Sequence, residues 1–340
     1  MHIRTPEIGI DLGTSNTMLY VKDRGIVISE PSLVMVQAGN RRTIAAVGDE
    51  AVHGVGRTRE AKMIIRPIRN GIIADFDMAA LMIRYFLRKA VGSSNLIKPH
   101  VYASIPVGLD DINRKAILEA FRVSGIKKVH LMEKPFASAL GSGLKPFDPV
   151  GSMVVDIGGG TTDVAVISLG GVVVSQSIPV GGQKMDEAIT NHIKREFKMI
   201  IGDVTAENLK IDMGSAMPLT ENSSARIRGR DLLTSQGMEV PYTAQQVYQA
   251  IHEPCKAIVN AIRWVLERTP PELCSDILRT GIHLTGGGAQ LRAIDQYIAT
   301  ELDLPVLTAQ QPADCTIMGL AHIVQNVPYY AEKGQLPPLA

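Results

Sequence analysis

Two stretches of this sequence set an aspartate at the mouth of a glycine turn. One is Ile8-Gly9-Ile10-Asp11-Leu12-Gly13-Thr14-Ser15-Asn16-Thr17, and the other is Val154-Val155-Asp156-Ile157-Gly158-Gly159-Gly160-Thr161-Thr162-Asp163. In each, an apolar β-forming run enters the turn and another leaves it. Such a turn points several backbone N–H groups into one concavity, which suits an anion such as phosphate. The aspartate on the entering strand can then face a metal held by that anion. Asp156 follows Asp11 by 145 residues (156 − 11), so the pattern reads as a duplicated scaffold clamping one phosphate chain from both sides. A third glycine run, Leu284-Thr285-Gly286-Gly287-Gly288-Ala289, follows a strand and precedes a helix expected from Gln290 to Leu302.

The surrounding pattern supplies elements to position these turns. A helix is expected over Asp77–Ala90, with Met78, Leu81, Met82, Tyr85 and Phe86 inward. A strand follows at His100–Pro106, then a helix at Asp110–Ser124 with Ile112, Ala116, Ile117, Ala120 and Phe121 inward and Gly125 as its stop. Pro135 opens a small-residue helix after the strand Val129–Met132. Beyond the second hairpin come helices over Met185–Met199 and Thr243–Arg268, the latter kinked at Pro254, and a last helix at Cys315–Gln325. Residues 31–75 and 203–245 read as insertions, the second polar and irregular. Strand–hairpin–insertion–helix–strand–helix thus occurs twice, an α/β organisation in two similar domains.

Composition narrows the classes. A chain of 340 residues suits two cores better than one. Hydrophobic residues make up 45% and aromatics 4%, which fits aliphatic α/β packing and excludes disorder. A net charge of +1 gives no bulk attraction to nucleic acid, and none is expected as a partner. The three cysteines, Cys255, Cys274 and Cys315, lack CxxC spacing and read as small buried hydrophobes in a reducing cytoplasm. The N-terminus enters a strand at once, leaving no room for a signal peptide, and no apolar run approaches the ~20 residues of a membrane span.

With three signatures in this order, the chain resembles the actin, sugar-kinase and heat-shock-chaperone ATPase superfamily. Asp11 to Thr17 resembles its first phosphate loop, Asp156 to Thr162 its second, and Leu284 to Ala289 its adenosine loop. Within it the sequence is similar to the bacterial actin MreB/Mbl family, as a divergent paralogue. The pieces that carry this are Arg228-Gly229-Arg230-Asp231-Leu232, Glu267-Arg268-Thr269-Pro270-Pro271-Glu272-Leu273, and Arg66-Pro67 followed by Gly71-Ile72-Ile73-Ala74-Asp75. The likeness runs from about Glu7 to Asn326. It implies an actin-like ATPase fold of two duplicated ribonuclease-H-like domains, with four subdomains around a nucleotide cleft. Domain I would hold residues 1–147 and 318–340, with a small subdomain at about 31–75. Domain II would hold 148–317, with a small subdomain at about 183–245.

The resemblance also assigns roles. ATP or ADP would lie between the domains, with Mg²⁺ on its outer phosphates held through water by Asp11 and Asp156, as befits a hard cation that uses one or two carboxylates. Gly13, Thr14, Ser15 and Asn16 would bind phosphate from one side, and Gly158, Gly159, Gly160 and Thr161 from the other. Gly286, Gly287, Gly288 and Ala289 would approach the nucleotide, and Glu207 and Lys210 would contact ribose and adenine. An ordinary i,i+3 ion pair is the alternative for those last two. At the catalytic position the family places a glutamate before a proline, and here Lys134 precedes Pro135. A lysine cannot act as a carboxylate base, so hydrolysis linked to polymerisation should be weak, proceeding through Thr161 and the metal. The alternative for Lys134 is a side chain turned to solvent. Glu133 should point elsewhere. Further departures are Gln183-Lys184, Gln290 and Gln310-Gln311.

The family further implies filaments of paired protofilaments at the inner face of the cell membrane, determining rod shape by organising peptidoglycan synthesis with MreC, MreD and RodZ-type proteins. Leu96 and Ile97, in Asn95-Leu96-Ile97-Lys98-Pro99, stand where relatives insert apolar side chains into lipid. The competing readings are a filament for motility or segregation and a nucleotide-binding paralogue that copolymerises with an active one. A chaperone ATPase would need a substrate-binding domain, for which only Pro328–Ala340 remains, and a sugar kinase would need a catalytic carboxylate.

Overall fold

A computed structural model describes residues 5–37, 40–53, 62–92, 99–219, 223–336 and 339. The chain divides into two compact units. The first comprises Met1–Pro149, Ile167–Val172 and Asp314–Ala340, and the second Val150–Val166 and Val173–Ala313.

The first unit is built on a five-stranded sheet in the order Lys128–Glu133, His100–Ile105, Glu7–Leu12, Asn16–Val21, Gly25–Pro31. The last three form an antiparallel meander, and Glu7–Leu12 runs parallel to His100–Ile105, which runs parallel to Lys128–Glu133. Alternate residues point to opposite faces, and both faces are covered. Ile8, Ile10 and Leu12 share a buried cluster with Met82 and Phe86 of the helix Phe76–Val91 and Phe121 of the helix Asp111–Val123. On the other face, a Cβ at Gly9 would stand 3.0 Å from Leu320 Cβ, so the helix Cys315–Gln325 lies close against the strand there. Residues 31–75 supply a three-stranded antiparallel sheet of Asn40–Val47, Val34–Gln37 and Lys62–Ile65, with its own small core of Leu33, Met35 and Ala51.

A second five-stranded sheet, most of it in the second unit, repeats the strand order: Gly171–Ile178, Thr162–Ser168, Ser152–Ile157, Ile282–Thr285, Val306–Thr308. Met153, Val155 and Ile157 are buried with Ile189 and Ile193 of the helix Gly182–Phe197 and with Ile251, Ile258 and Ile262 of the helix Ala244–Leu266. That long helix starts at a capping box. Thr243 Oγ1 accepts from the Gln246 N–H at 3.2 Å, and Gln246 Oε1 accepts from the Thr243 N–H at 2.9 Å. It runs through Pro254 as one element.

Three expectations need correction. The second insertion is not irregular: Asp203–Met213 is a helix, and Ser224–Asp231 pairs with Met199–Ile200 and Gly237–Thr243 in an antiparallel sheet. Ile112, expected inward, is 80% exposed. It precedes the buried Phe121 by about two and a half helical turns, which puts it on the opposite face. The helix expected from Gln290 begins at Ile294, because Gly287–Gln290 forms a 3₁₀ turn first. Of the cysteines, Cys255 and Cys315 are buried and Cys274 is half-buried.

Two helices of the first unit, Lys134–Gly141 and Cys315–Gln325, approach closely because small residues face each other. A Cβ at Gly141 would overlap the carbonyl of Cys315, and one at Gly319 would overlap the carbonyl of Ala137. Between them, Ser138 Oγ and Thr316 Oγ1 share a buried hydrogen bond of 2.9 Å. Backbone on the far side of both contacts leaves no flexible atom to yield. Gly319→Ala should therefore destabilise the protein by about 3 kcal/mol, at the upper end for overpacking. Gly237→Ala, whose Cβ meets nothing within 4 Å, should stay within about 0.5 kcal/mol of the parent. Urea unfolding of the two variants measures the difference.

Candidate functional site

Each unit carries its aspartate and turn at the end of the first strand of its sheet. In the first unit the chain reverses immediately after Glu7–Leu12. The Gly13 N–H donates to Asn16 O at 3.1 Å, and a Cβ on Gly13 would come within 2.5 Å of that oxygen. Ser32 braces the turn from outside, donating from Oγ to Gly13 O at 2.6 Å and from its N–H to Ser15 O at 2.8 Å. Thr14 is buried, and its hydroxyl accepts from the Gly71 N–H at 3.0 Å, while Asn16 is exposed.

The second unit repeats the motif. The Gly158 N–H donates to Thr161 O at 2.8 Å, and both residues of that bond lie 145 positions after Gly13 and Asn16 (158 − 13, 161 − 16). Here the brace is the start of the helix Gly182–Phe197, whose Gly182 and Gln183 N–H groups donate to Gly158 O and Gly159 O at 3.0 and 2.8 Å. A Cβ on Gly181 would overlap Gly158 O, so glycine is required for that approach. Thr161 is buried, and its hydroxyl donates to Asp163 Oδ2 at 2.9 Å. The third glycine run packs on the same strand end. Gly286 has φ +81°, its N–H donates to Pro312 O at 2.7 Å, and a Cβ on Gly286 or Gly288 would collide with Ile157.

The two aspartates share a partner type. Asp11 Oδ1 accepts from Ser104 Oγ at 2.5 Å, and Ser104 lies one step past the Ile10–Ala103 pair of the parallel ladder. Asp156 Oδ2 accepts from Thr285 Oγ1 at 3.0 Å, and Asp156 and Thr285 are ladder partners. Asp11 also faces a cation: Lys134 Nζ lies 3.1 Å from Oδ1, with the two side chains 11% and 13% exposed. Lys134 therefore does not turn to solvent.

The tight glycine turns and the hydroxyls beside them fit a phosphate-binding turn. The fit to a divalent cation is poorer, since Asp11 already faces an ammonium. Among the described residues no group of three or more histidines, cysteines or carboxylates is placed to hold a metal.

Lys210 is 2.8 Å from Asp186 and donates to Gly182 O at 3.2 Å, while Glu207 is exposed. Its ion pair is thus not the i,i+3 pair with Glu207. Instead it ties the helix Asp203–Met213 to the helix start that braces the second turn. Burial raises the Asp186 carboxyl above its ordinary value, and Lys210 opposes that rise. Leu96 and Ile97 lie outside the described residues. Ser104 and Asp186 escaped the sequence reading, whereas Asp163 and Thr285 stood within its motifs without an assigned role. Ser104 and Thr285 share one signal, a hydroxyl at the carboxyl end of a parallel strand.

Two units of one strand order, each with an aspartate and a glycine turn at its first strand end, define an actin-like α/β protein. The family model for MreB/Mbl protein matches residues 5–332, and the chain belongs to that family. It is 44% identical to the cell shape-determining protein Mbl of Bacillus subtilis over 321 residues, covering 94% of this chain and 96% of Mbl. It is 43% identical to the cell shape-determining protein MreB of Escherichia coli over 318 residues, covering 92% and 91%. The crystal structure of MreB5 of Spiroplasma citri bound to ADP superposes with a TM-score of 0.90 at 33% identity, covering 97% of this chain and 99% of that one. The AMPPNP complex of the same protein gives the same figures.

Next to Lys134, Glu133 is half-buried, and burial pushes its carboxyl above the ordinary 4.5 while the charge of Arg114 pulls it partly back. The folded chain keeps this proton at pH values where the unfolded chain has released it. Ionisation of Glu133 therefore works against folding as pH rises from 4.5 upward. Relative to the parent, Glu133→Gln should gain stability as pH is raised from about 4 to 7. Chemical denaturation at several pH values checks this, and parallel stability curves would refute it.

Proposed function

We propose that this chain is an ATP-binding, filament-forming bacterial actin. The observation that carries the reading is the repeated turn, with Gly13 bonded to Asn16 and Gly158 to Thr161 behind Asp11 and Asp156. Each turn binds phosphate oxygens through its backbone N–H groups, and the first also through the exposed side chain of Asn16. The run Gly286–Ala289 lies close to the nucleoside. MreB5 of Spiroplasma citri, crystallised with ADP and with AMPPNP, supports an adenine nucleotide as the ligand. Mbl and MreB, both named cell shape-determining proteins, support a role in cell shape, which in this reading is rod shape set by organising peptidoglycan synthesis. Filaments at the inner membrane face, anchored by Leu96 and Ile97 and working with MreC, MreD and RodZ-type proteins, complete that reading.

Hydrolysis is weak in this reading. Lys134 carries no basic lone pair while it is protonated against Asp11, so it cannot orient an attacking water as a carboxylate would. The loss of a general base costs ~10²–10⁴-fold in rate, and what remains comes from positioning and electrostatics. Lys210 is a positioning residue: it fixes the helix start whose N–H groups hold Gly158 and Gly159.

Electron microscopy and pelleting with ATP, ADP and AMPPNP, with and without anionic liposomes, test assembly. Filaments in ATP and AMPPNP are expected, with liposome co-pelleting reduced by the Leu96→Ser/Ile97→Ser double variant. A protein that stays monomeric in every nucleotide would sink the reading. Phosphate release from filaments should rise ~10²-fold or more in Lys134→Glu, and an unchanged rate would remove the weak-hydrolysis claim.

A further inference from the structure

We infer that Lys134 is a resident counter-ion for the first phosphate turn, so that this chain binds a nucleoside triphosphate with little dependence on a divalent cation. This deepens the nucleotide reading above and rests on it. The observation is the Lys134–Asp11 pair: 3.1 Å between Nζ and Oδ1, both side chains largely shielded from water, and the same oxygen also taking the Ser104 hydroxyl.

A hard dication is drawn to such a position by an uncompensated carboxylate. Here the carboxylate is compensated by a fixed ammonium. At short range and with little solvent screening, that ammonium repels a dication twice as strongly as a monovalent ion. The same charge attracts the triphosphate directly, which is the service a metal performs at phosphate oxygens.

Lys134 is not placed by chance side-chain wandering. It is the first residue of the helix Lys134–Gly141, followed by Pro135, whose ring fixes the backbone at the helix start. The helix is held by the close contacts of Gly141 with Cys315 and of Gly319 with Ala137. A cation in the first helical turn is opposed by the helix dipole, since the N-terminal end is already electropositive. Asp11 offsets that opposition. With the Asp11 carboxylate neutralised by Lys134, the positive end of the helix is left beside the first turn without an opposing negative charge from Asp11. Charge of this kind suits an anion and disfavours a second cation.

Isothermal titration calorimetry of the purified full chain with ATP, in Mg²⁺ or in EDTA, tests this directly as binding rather than turnover. For the parent, Kd should change by less than ~3-fold on chelation. In Lys134→Gln, chelation should weaken binding by ~10-fold or more, while Lys134→Arg should behave as the parent. Equal weakening on chelation in the parent and Lys134→Gln would overturn the inference and leave nucleotide binding standing. So would a parent that loses ~10-fold or more in EDTA, a result that needs no variant to fold. A parent that binds no ATP in either condition would overturn the nucleotide reading, and this inference with it.

Discussion

The return of the chain after the first strand of each sheet is the constraint from which the candidate site follows. That strand is central, flanked by an antiparallel neighbour on one side and a parallel one on the other in the first unit. To pair with the next strand it must reverse within three residues, Gly13 to Ser15, and the Gly13–Asn16 hydrogen bond closes the reversal. The tightness is chemical as well as geometric. A Cβ at Gly13 would come within 2.5 Å of Asn16 O, so the turn closes this tightly only with glycine there. With the adjacent strand running parallel, its carboxyl end presents a hydroxyl to the aspartate. Open α/β sheets bind ligands at the carboxyl ends of their strands for this reason.

Around that turn, packing determines which side chains can reach it. In the first unit the approach is governed by two helices pressed together through Gly141, Gly319, Ser138 and Thr316. Small residues bring the helix Lys134–Gly141 down onto Cys315–Gln325, and the start of the former is thereby fixed beside the strand that carries Asp11. In the second unit the corresponding task falls to Gly181 and Lys210. Gly181 lets the helix start close on Gly158, and Lys210 holds that start through Asp186 and Gly182. Backbone N–H groups of a helix thus support one turn, whereas Ser32, with its hydroxyl and its own N–H, supports the other.

The sequence was legible where a few adjacent residues carry the whole signal. The turns at Gly13 and Gly158, the strands that flank them and the Pro135 helix start are of this kind. It was illegible where a partner comes from a distant strand or helix. Ser104 reaches Asp11 across 93 residues, Thr285 reaches Asp156 across 129, and Lys210 pairs with Asp186 rather than with Glu207 one turn away. The helix Asp203–Met213 is a different case. Ala206, Leu209 and Met213 are buried at helical spacing, but polar neighbours and a Gly202 cap without a side-chain hydrogen bond hid the pattern. The 3₁₀ turn at Gly287–Gln290 misled in the opposite sense, since its glycines resemble a helix entry while the α-helix waits until Ile294.

The duplication sharpens what is peculiar to this chain. The glycine turn and the aspartate–hydroxyl pair occur in both units at matching places, so ancestral sheet geometry accounts for them. Lys134 is not accounted for in that way. It follows the outer parallel strand Lys128–Glu133 of the first unit, whereas the segment after the matching strand Val306–Thr308 is Ala309-Gln310-Gln311, which carries no charge. The two halves therefore keep one backbone turn and differ in the electrostatics laid over it. A buried or half-buried ion pair adds little to stability on balance, because desolvation offsets most of the attraction. A pair with the cation at a helix start is less favourable still. Its placement at the strand end that carries the first glycine turn is consequently not explained by what it does for the fold.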